Sequence, residues 1–330
     1  MVPLLNRPFL AYQLALLRQH GMTDVVLACS YRVDDVRAAM GDGSAFGVRL
    51  RYAVEKSALG TGGGVRYAAD AARGTIVVLN GDVLTDADLS AMAAFHTARK
   101  SRTTISLMRV PDPRPFGLVE TAADGRIEAF REKPTTPAEV TTDTVNAGIY
   151  LIDAALLARI PTDTVVSIER DFFPALVGEG IAAYGWLTEA YWRDIGNPRS
   201  YREAQADLLA GRFVPPLLAS ERGRAGDWID DSARVHETAH VGHPAFVAAD
   251  VQIHRGARVG KNAVIGPRCS IGAHATLEGA VLWEDVVVGP EARLLDCVVG
   301  AGTRIGRAAH IGPGVTLGSG ETVPDDARLP

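Results

Sequence analysis

The sequence predicts an α/β domain built on a mixed sheet, followed by a coil of short parallel strands. Over residues 1 to about 210, short β-branched runs alternate with amphipathic segments, the pattern of a sheet covered by helices. From Val235 onward the period changes, and aliphatic residues recur every six positions, which neither a helix nor a hairpin produces. Two aspartates mark a candidate site. Asp82 in LNGDVL and Asp194 in YWRDIG each follow an apolar run, at the edge where α/β sheets present groups to ligands.

In chain order, the strands of the first region are expected at residues 24–30 (DVVLACS), 48–55 (VRLRYAVE), 75–80 (TIVVLN), 103–110 (TTISLMRV) and 181–187 (IAAYGWL). Helices are expected between them at residues 8–20, 33–40, 62–72 and 87–100, the second ended by Gly41 and the last opened by Thr85 or Asp86. Asp124-Gly125 separates two alternating runs within residues 116–130, which reads as an antiparallel hairpin. The sheet is therefore expected to be mostly parallel but not purely so.

At 330 residues and 47% hydrophobic content, the chain can bury a core in each of two domains. A net charge of −5 argues against a nucleic-acid or anionic-membrane surface. The three cysteines, Cys29, Cys269 and Cys297, lie far apart in apolar stretches, so no disulfide framework or metal-ligand spacing is expected. A reducing cytoplasm fits that cysteine pattern, and the sequence shows no membrane-length apolar run and no signal-peptide pattern at MVPLLNRPF.

The six-residue ladder runs from Val235 through Val241, Val247 and onward to Leu277. After five-residue steps to Leu282 and later to Val299, it continues to Val323. Small residues such as Ala245, Ala263, Cys269 and Cys297 stand two places before the rungs, and glycine often follows them. One long and one small inward residue per six, with glycine at the corners, suits a triangular coil. The ladder resembles the left-handed β-helix of hexapeptide-repeat proteins, with about five coils expected. His236, His240, His243, His254, His274 and His310 fall between rungs and read as solvated corner residues rather than an acyltransferase base.

Five motifs follow in order along the first region: LGTGGG (59–64), LNGDVL (79–84), REKP (131–134), NAGIY (146–150) and WRDIG (192–196). Glycines at the start of a helix leave backbone N–H groups open to a ligand. Hard carboxylates suit Mg²⁺ held against phosphate. Glu132 and Lys133 place a planar acceptor beside a cation, on a segment that Pro134 holds extended.

That order resembles the sugar-1-phosphate nucleotidyltransferases, most closely the mannose-1-phosphate guanylyltransferase-like branch with a C-terminal β-helix. The resemblance implies a Rossmann-like nucleotidyltransferase domain over residues 1–211, a linker at 212–230 and a left-handed parallel β-helix over 231–330. It also implies transfer of a nucleotidyl group from an NTP to a sugar 1-phosphate. GTP and mannose 1-phosphate are the expected pair, and glucose 1-phosphate with dTTP or UTP the alternative. Asp82 and Asp194 would bind Mg²⁺, with Gly81 beside the first, and Lys133 would bind phosphate. Glu132, Asn146, Gly148 and Gly117 would contact the sugar, while Leu59, Gly60, Thr61 and Gly62 would border the nucleobase and ribose. A homo-oligomer formed through the β-helix is expected.

Members of that family open with a strand and a Gly-rich loop containing Gly-Thr-Arg, then Pro-Lys-Pro. MVPLLNRP corresponds to the segment just after that lysine, so the expectation is a start codon placed downstream of the true one. A non-catalytic homologue that binds nucleotide-sugar is the competing expectation.

Overall fold

The computed structural model describes residues 2–134, 136–218 and 228–330. Residues 219–227 of the expected linker lie outside the described residues. Packing divides the chain into two compact units, residues 13–192 and residues 1–12 together with 193–330.

In the first of these units the sheet is organised by one long strand, Thr144–Asp153, whose ten residues are almost all buried. It pairs antiparallel with Thr103–Arg109, with Thr75–Leu79 and with Gly117–Thr121. Gly117–Thr121 forms the expected hairpin with Ile127–Glu132. Ala183–Leu187 adds the sheet's parallel pair, against Thr103–Arg109, and Asp24–Cys29 with Arg49–Val54 is a separate parallel pair. The sheet is mixed as expected, but most of its pairs are antiparallel rather than parallel. A chain pattern of alternating strands and helices does not reveal which strands become neighbours, and here Thr144–Asp153 joins segments far apart in sequence. One face packs Ile105, Leu107, Val119, Tyr150 and Ile152 against Ile168, Phe172 and Phe173.

The helices Phe9–Gln19 and Val33–Met40 fall where expected. The fourth expected helix is shorter, Leu89–Ala98, and neither Thr85 nor Asp86 caps it. Asp88 is the N-cap, its Oδ1 accepting from Ala91 N at 2.9 Å. Thr85 is buried in the preceding strand and accepts from Ala87 N at 3.1 Å, while Asp86 accepts from Tyr191 N at 2.8 Å. The glycine-rich helix covers Gly60–Ala68 rather than 62–72.

In the other unit, residues 228–330 form three parallel sheets of six strands each, giving six coils rather than five. The rungs missed in sequence are Ile229, Val288, Leu294 and Leu329, each in register with a rung that was read. Five-residue steps from Leu277 to Leu282 and from Leu294 to Val299 shift the phase and hide the turns between them. The inward aliphatics and small residues form one continuous core, with Val247, Val259, Ile265, Ile271 and Leu277 wholly buried. The histidines are exposed apart from the half-buried His310, and His240 and His310 lie on strands rather than at corners.

Cys269 and Cys297 are fully enclosed in this core, and burial pushes both thiols up to about 12. They stay protonated at neutral pH, and the thiolate is the reactive form. Neither is expected to react with a disulfide reagent until the coil unfolds. Labelling within minutes in native buffer, read by mass spectrometry, would contradict a closed coil.

The helix Pro198–Leu209 packs in the same unit. Asn197 caps it, accepting from Ser200 N at 3.0 Å, and Pro198 occupies its first turn. It is tied to the coil by Arg202 Nη1 to Asp296 Oδ1 at 2.8 Å and by the Trp283 indole N–H to the Tyr201 hydroxyl at 3.2 Å.

Candidate active site

Within residues 13–192, the expected site residues converge around an irregularity in the central strand. Pairing of Thr144–Asp153 with Thr103–Arg109 shifts register between Asn146 and Tyr150, the mark of a bulge that re-aims side chains. Gly148 sits in it at φ +74°, where a Cβ would come within 3.0 Å of Asn80 Nδ2 and Val83 Cγ2. A side chain there would be strained by both backbone and space. The bulge is fastened by Gly148 N to Asn146 Oδ1 at 2.9 Å and by Asn80 N to Gly148 O at 2.8 Å. The Trp192 indole N–H donates to Ala147 O at 2.9 Å, and its ring meets Phe116 edge-on at 5.2 Å.

The second of those bonds brings the LNGDVL turn to the bulge. Gln13 holds the same turn from its other side, its Nε2 donating to Asn80 O at 2.8 Å and to Val83 O at 3.0 Å. Gly81 and Asp82 are exposed at its tip. No glutamine motif in the sequence pointed to Gln13.

Glu132 ends its strand directly opposite Gly117. A Cβ on Gly117 would lie 2.6 Å from Glu132 Oε2, so the carboxylate occupies the room the glycine leaves. Its side chain is 18% exposed, against 61% for Lys133, whose Nζ lies 3.9 Å from Glu132 Oε1. Burial raises the Glu132 carboxyl above the ordinary glutamate range; Lys133 and Arg170 oppose that and Glu169 adds to it. Lys133 adopts φ +48°, so the segment before Pro134 turns rather than running extended as expected.

The LGTGGG segment is less open than expected. Leu59 and Gly62 are buried, and Gly60 and Thr61 are exposed. The N–H groups of Gly62 and Gly63 both donate to Val166 O, at 2.8 and 3.2 Å. Leu59 N donates to Glu55 Oε2 at 2.9 Å. Thr61 Oγ1 donates to Glu169 Oε2 at 2.8 Å and accepts from Ile168 N at 2.8 Å. Two N–H groups of this helix's first turn are thus taken by a protein carbonyl rather than held ready for an anion. Glu169 was not singled out from the sequence, where it stands as one glutamate in SIERDF.

Asp194 belongs to the other compact unit, so the expected carboxylate pair is divided between the two. It is half-buried, and its Oδ1 accepts from Gly196 N at 2.6 Å. The preceding residue, Arg193, is anchored by Nε and Nη2 to Asp207 Oδ2 at 2.9 and 2.7 Å. Among the described residues, no group of three or more His, Cys, Asp and Glu side chains is arranged to hold a metal. Nor is any helix long and apolar enough to cross a membrane.

A mixed-sheet α/β unit in a chain that continues into a parallel β-helix defines the architectural class of the protein. Residues 1–211 match the family model described as nucleotidyl transferase, and residues 224–329 match the left-handed β-helix domain of the EIF2B epsilon subunit. The chain belongs to the nucleotidyl transferase family. It is 38% identical to the mannose-1-phosphate guanylyltransferase of Mycobacterium tuberculosis over 87% of this chain and 74% of that protein. A UTP–glucose-1-phosphate uridylyltransferase of Synechocystis is 28% identical over 91% of this chain and 81% of its own length. Among solved structures, HddC from Yersinia pseudotuberculosis matches with a TM-score of 0.55 and 25% identity, covering 63% of this chain and 88% of that one.

Proposed function

We propose that this protein transfers a nucleotidyl group from an NTP to a sugar 1-phosphate, with GTP and mannose 1-phosphate as its preferred substrates. The observation that carries the reading is the family match over residues 1–211, together with a mannose-1-phosphate guanylyltransferase as a 38% identical relative. A phosphate oxygen of the sugar 1-phosphate attacks the α-phosphorus, the bond to the β-phosphate breaks, and pyrophosphate leaves. Such a transfer needs positioning and neutralisation of charge, not a covalent intermediate on the protein.

Glu132, Asn146 and the backbone at Gly148 and Gly117 would hold the sugar, and Leu59 to Gly62 would border the base and ribose. Lys133, an exposed cation beside a half-buried carboxylate, would neutralise phosphate. Asp82 would bind Mg²⁺, with Asp194 as second ligand by its place in the motif order and Gly81 beside the first. Hard carboxylates suit this ion, which commonly takes one or two carboxylates plus substrate phosphates. When bound, Mg²⁺ would supply Lewis-acid neutralisation of the phosphates. We take residues 1–211 as the transferase domain and 231–330 as an assembly domain through which copies associate in the cytoplasm.

A panel of nucleoside triphosphates against sugar 1-phosphates, read by pyrophosphate release, is expected to give the highest kcat/KM for GTP with mannose 1-phosphate. A higher value for UTP with glucose 1-phosphate would reassign the substrates, and silence with every pair would end the transferase reading. Gly117→Ala is expected to raise KM for the sugar 1-phosphate about tenfold, because the new methyl must displace the Glu132 carboxylate. Unchanged KM would remove Glu132 from the sugar's contacts.

A further inference from the structure

Glu169 lies on a single π-helical turn, Ile168–Phe172, a rare conformation that tends to occur at functional sites. Ser167 closes the turn, its Oγ accepting from Arg170 N at 3.1 Å while its own N–H donates to Asp171 Oδ2 at 2.8 Å. The Glu169 carboxylate forms no ion pair among the described residues. Instead it accepts hydroxyl groups: Thr61 at 2.8 Å and Ser167 at 3.1 Å on Oε2, and Tyr150 at 3.4 Å on Oε1. The Tyr150 ring is wholly buried and packs at 5.0 Å against Phe173. Its hydroxyl accepts from Asn146 Nδ2 at 2.8 Å, and Asn146 Oδ1 receives the Gly148 N–H. A continuous hydrogen-bonded path therefore runs from Thr61 through Glu169 and Tyr150 to Asn146 and Gly148.

We infer that Glu169 is a positioning residue that fixes the Leu59–Gly62 segment and the Asn146–Gly148 bulge in one frame, so that nucleoside and sugar are held at a set separation. The inference rests on the nucleotidyl-transfer reading. Glu169 touches neither substrate in this account. Its two oxygens face the two segments separately, so removing either hydroxyl partner isolates one arm: Thr61→Val the nucleoside arm, Tyr150→Phe the sugar arm. A glutamine at 169 keeps the shape, but it offers only one acceptor oxygen and turns an NH₂ toward one of the hydroxyls.

The test uses the full chain and two readouts, steady-state kinetics and amide hydrogen exchange. Glu169→Gln is expected to raise KM for GTP and for mannose 1-phosphate about tenfold each with a smaller change in kcat. Exchange is expected to speed up at Gly62, Gly63 and Gly148. Thr61→Val moves only the nucleotide KM and the Gly62 and Gly63 amides, whereas Tyr150→Phe moves only the sugar KM and the Gly148 amide. Thr61→Ser, which retains the hydroxyl, restores the nucleotide constants. Wild-type exchange and KM values in Glu169→Gln overturn the inference. So does a fall in kcat with both KM values unchanged that tracks a lowered Tm, because a merely structural residue would lower the active fraction without raising KM. If the unaltered protein turns over no substrate pair, the transferase reading fails, and the exchange pattern alone decides whether Glu169 joins the segments.

Discussion

Replacing Asp82 with asparagine is expected to slow Mg²⁺-dependent pyrophosphate release about a thousandfold while leaving the fold intact. Asparagine has the same shape and loses only the charge that a hard divalent cation selects. Because Asp82 is exposed at the tip of its turn, and the turn itself is held by Gln13 and Gly148 through backbone oxygens and nitrogens, the variant should remain folded. Asp194→Asn should produce a comparable loss, since an amide oxygen can still accept the Gly196 N–H that the carboxylate now holds. If both act on one ion, the double variant should be little slower than either single one. Wild-type turnover in Asp82→Asn across a Mg²⁺ titration would remove the metal assignment.

The largest stability loss is expected from Asp207→Asn, about 3–5 kcal/mol by urea unfolding. The Asp207 side chain is only 4% exposed, and its two oxygens serve two guanidinium groups. Oδ2 receives Arg193, and Oδ1 receives Arg212 Nη1 at 2.8 Å. The amide would aim an NH₂ at one of the two cations and remove the charge that holds both. Arg193 is 24% exposed and also meets Glu203, which places the loss nearer the lower end of that range. By contrast, Glu203→Gln, on a 43% exposed carboxylate, should cost less than about 1 kcal/mol. Because Arg193 precedes Asp194, Asp207→Asn should also lower the turnover of the folded fraction. An unfolding midpoint equal to that of the unaltered protein would show that water replaces the carboxylate.

Particular elements show how far the sequence could be read. Strands such as Thr75–Leu79 and Thr103–Arg109 were visible because β-branched runs between turn residues have few other uses. Their partners were not visible, and the expected parallel majority gave way to antiparallel pairs made by Thr144–Asp153. The motifs LNGDVL, REKP and NAGIY were legible as short strings, but their juxtaposition depends on the bulge at Gly148. LGTGGG suggested open N–H groups, yet the Val166 carbonyl, more than a hundred residues away, accepts two of them. Glu169 and Asp207 carried no motif. The one available signal for Glu169 was the Ser167 to Asp171 spacing of a capped turn.

By itself the sequence determined the two architectures and the motif order, because a period of six, and the alternation of strand and helix patterns, are properties of neighbouring residues. Tertiary structure alone decided how Thr61, Glu132, Asn146 and Glu169 are arranged, since their meeting depends on hydrogen bonds and close approaches between distant segments. The same division separates Asp82 from its environment. Its type and its place after an apolar run belong to the sequence, while the turn that presents it is set by the Gly148 carbonyl and the Gln13 side chain.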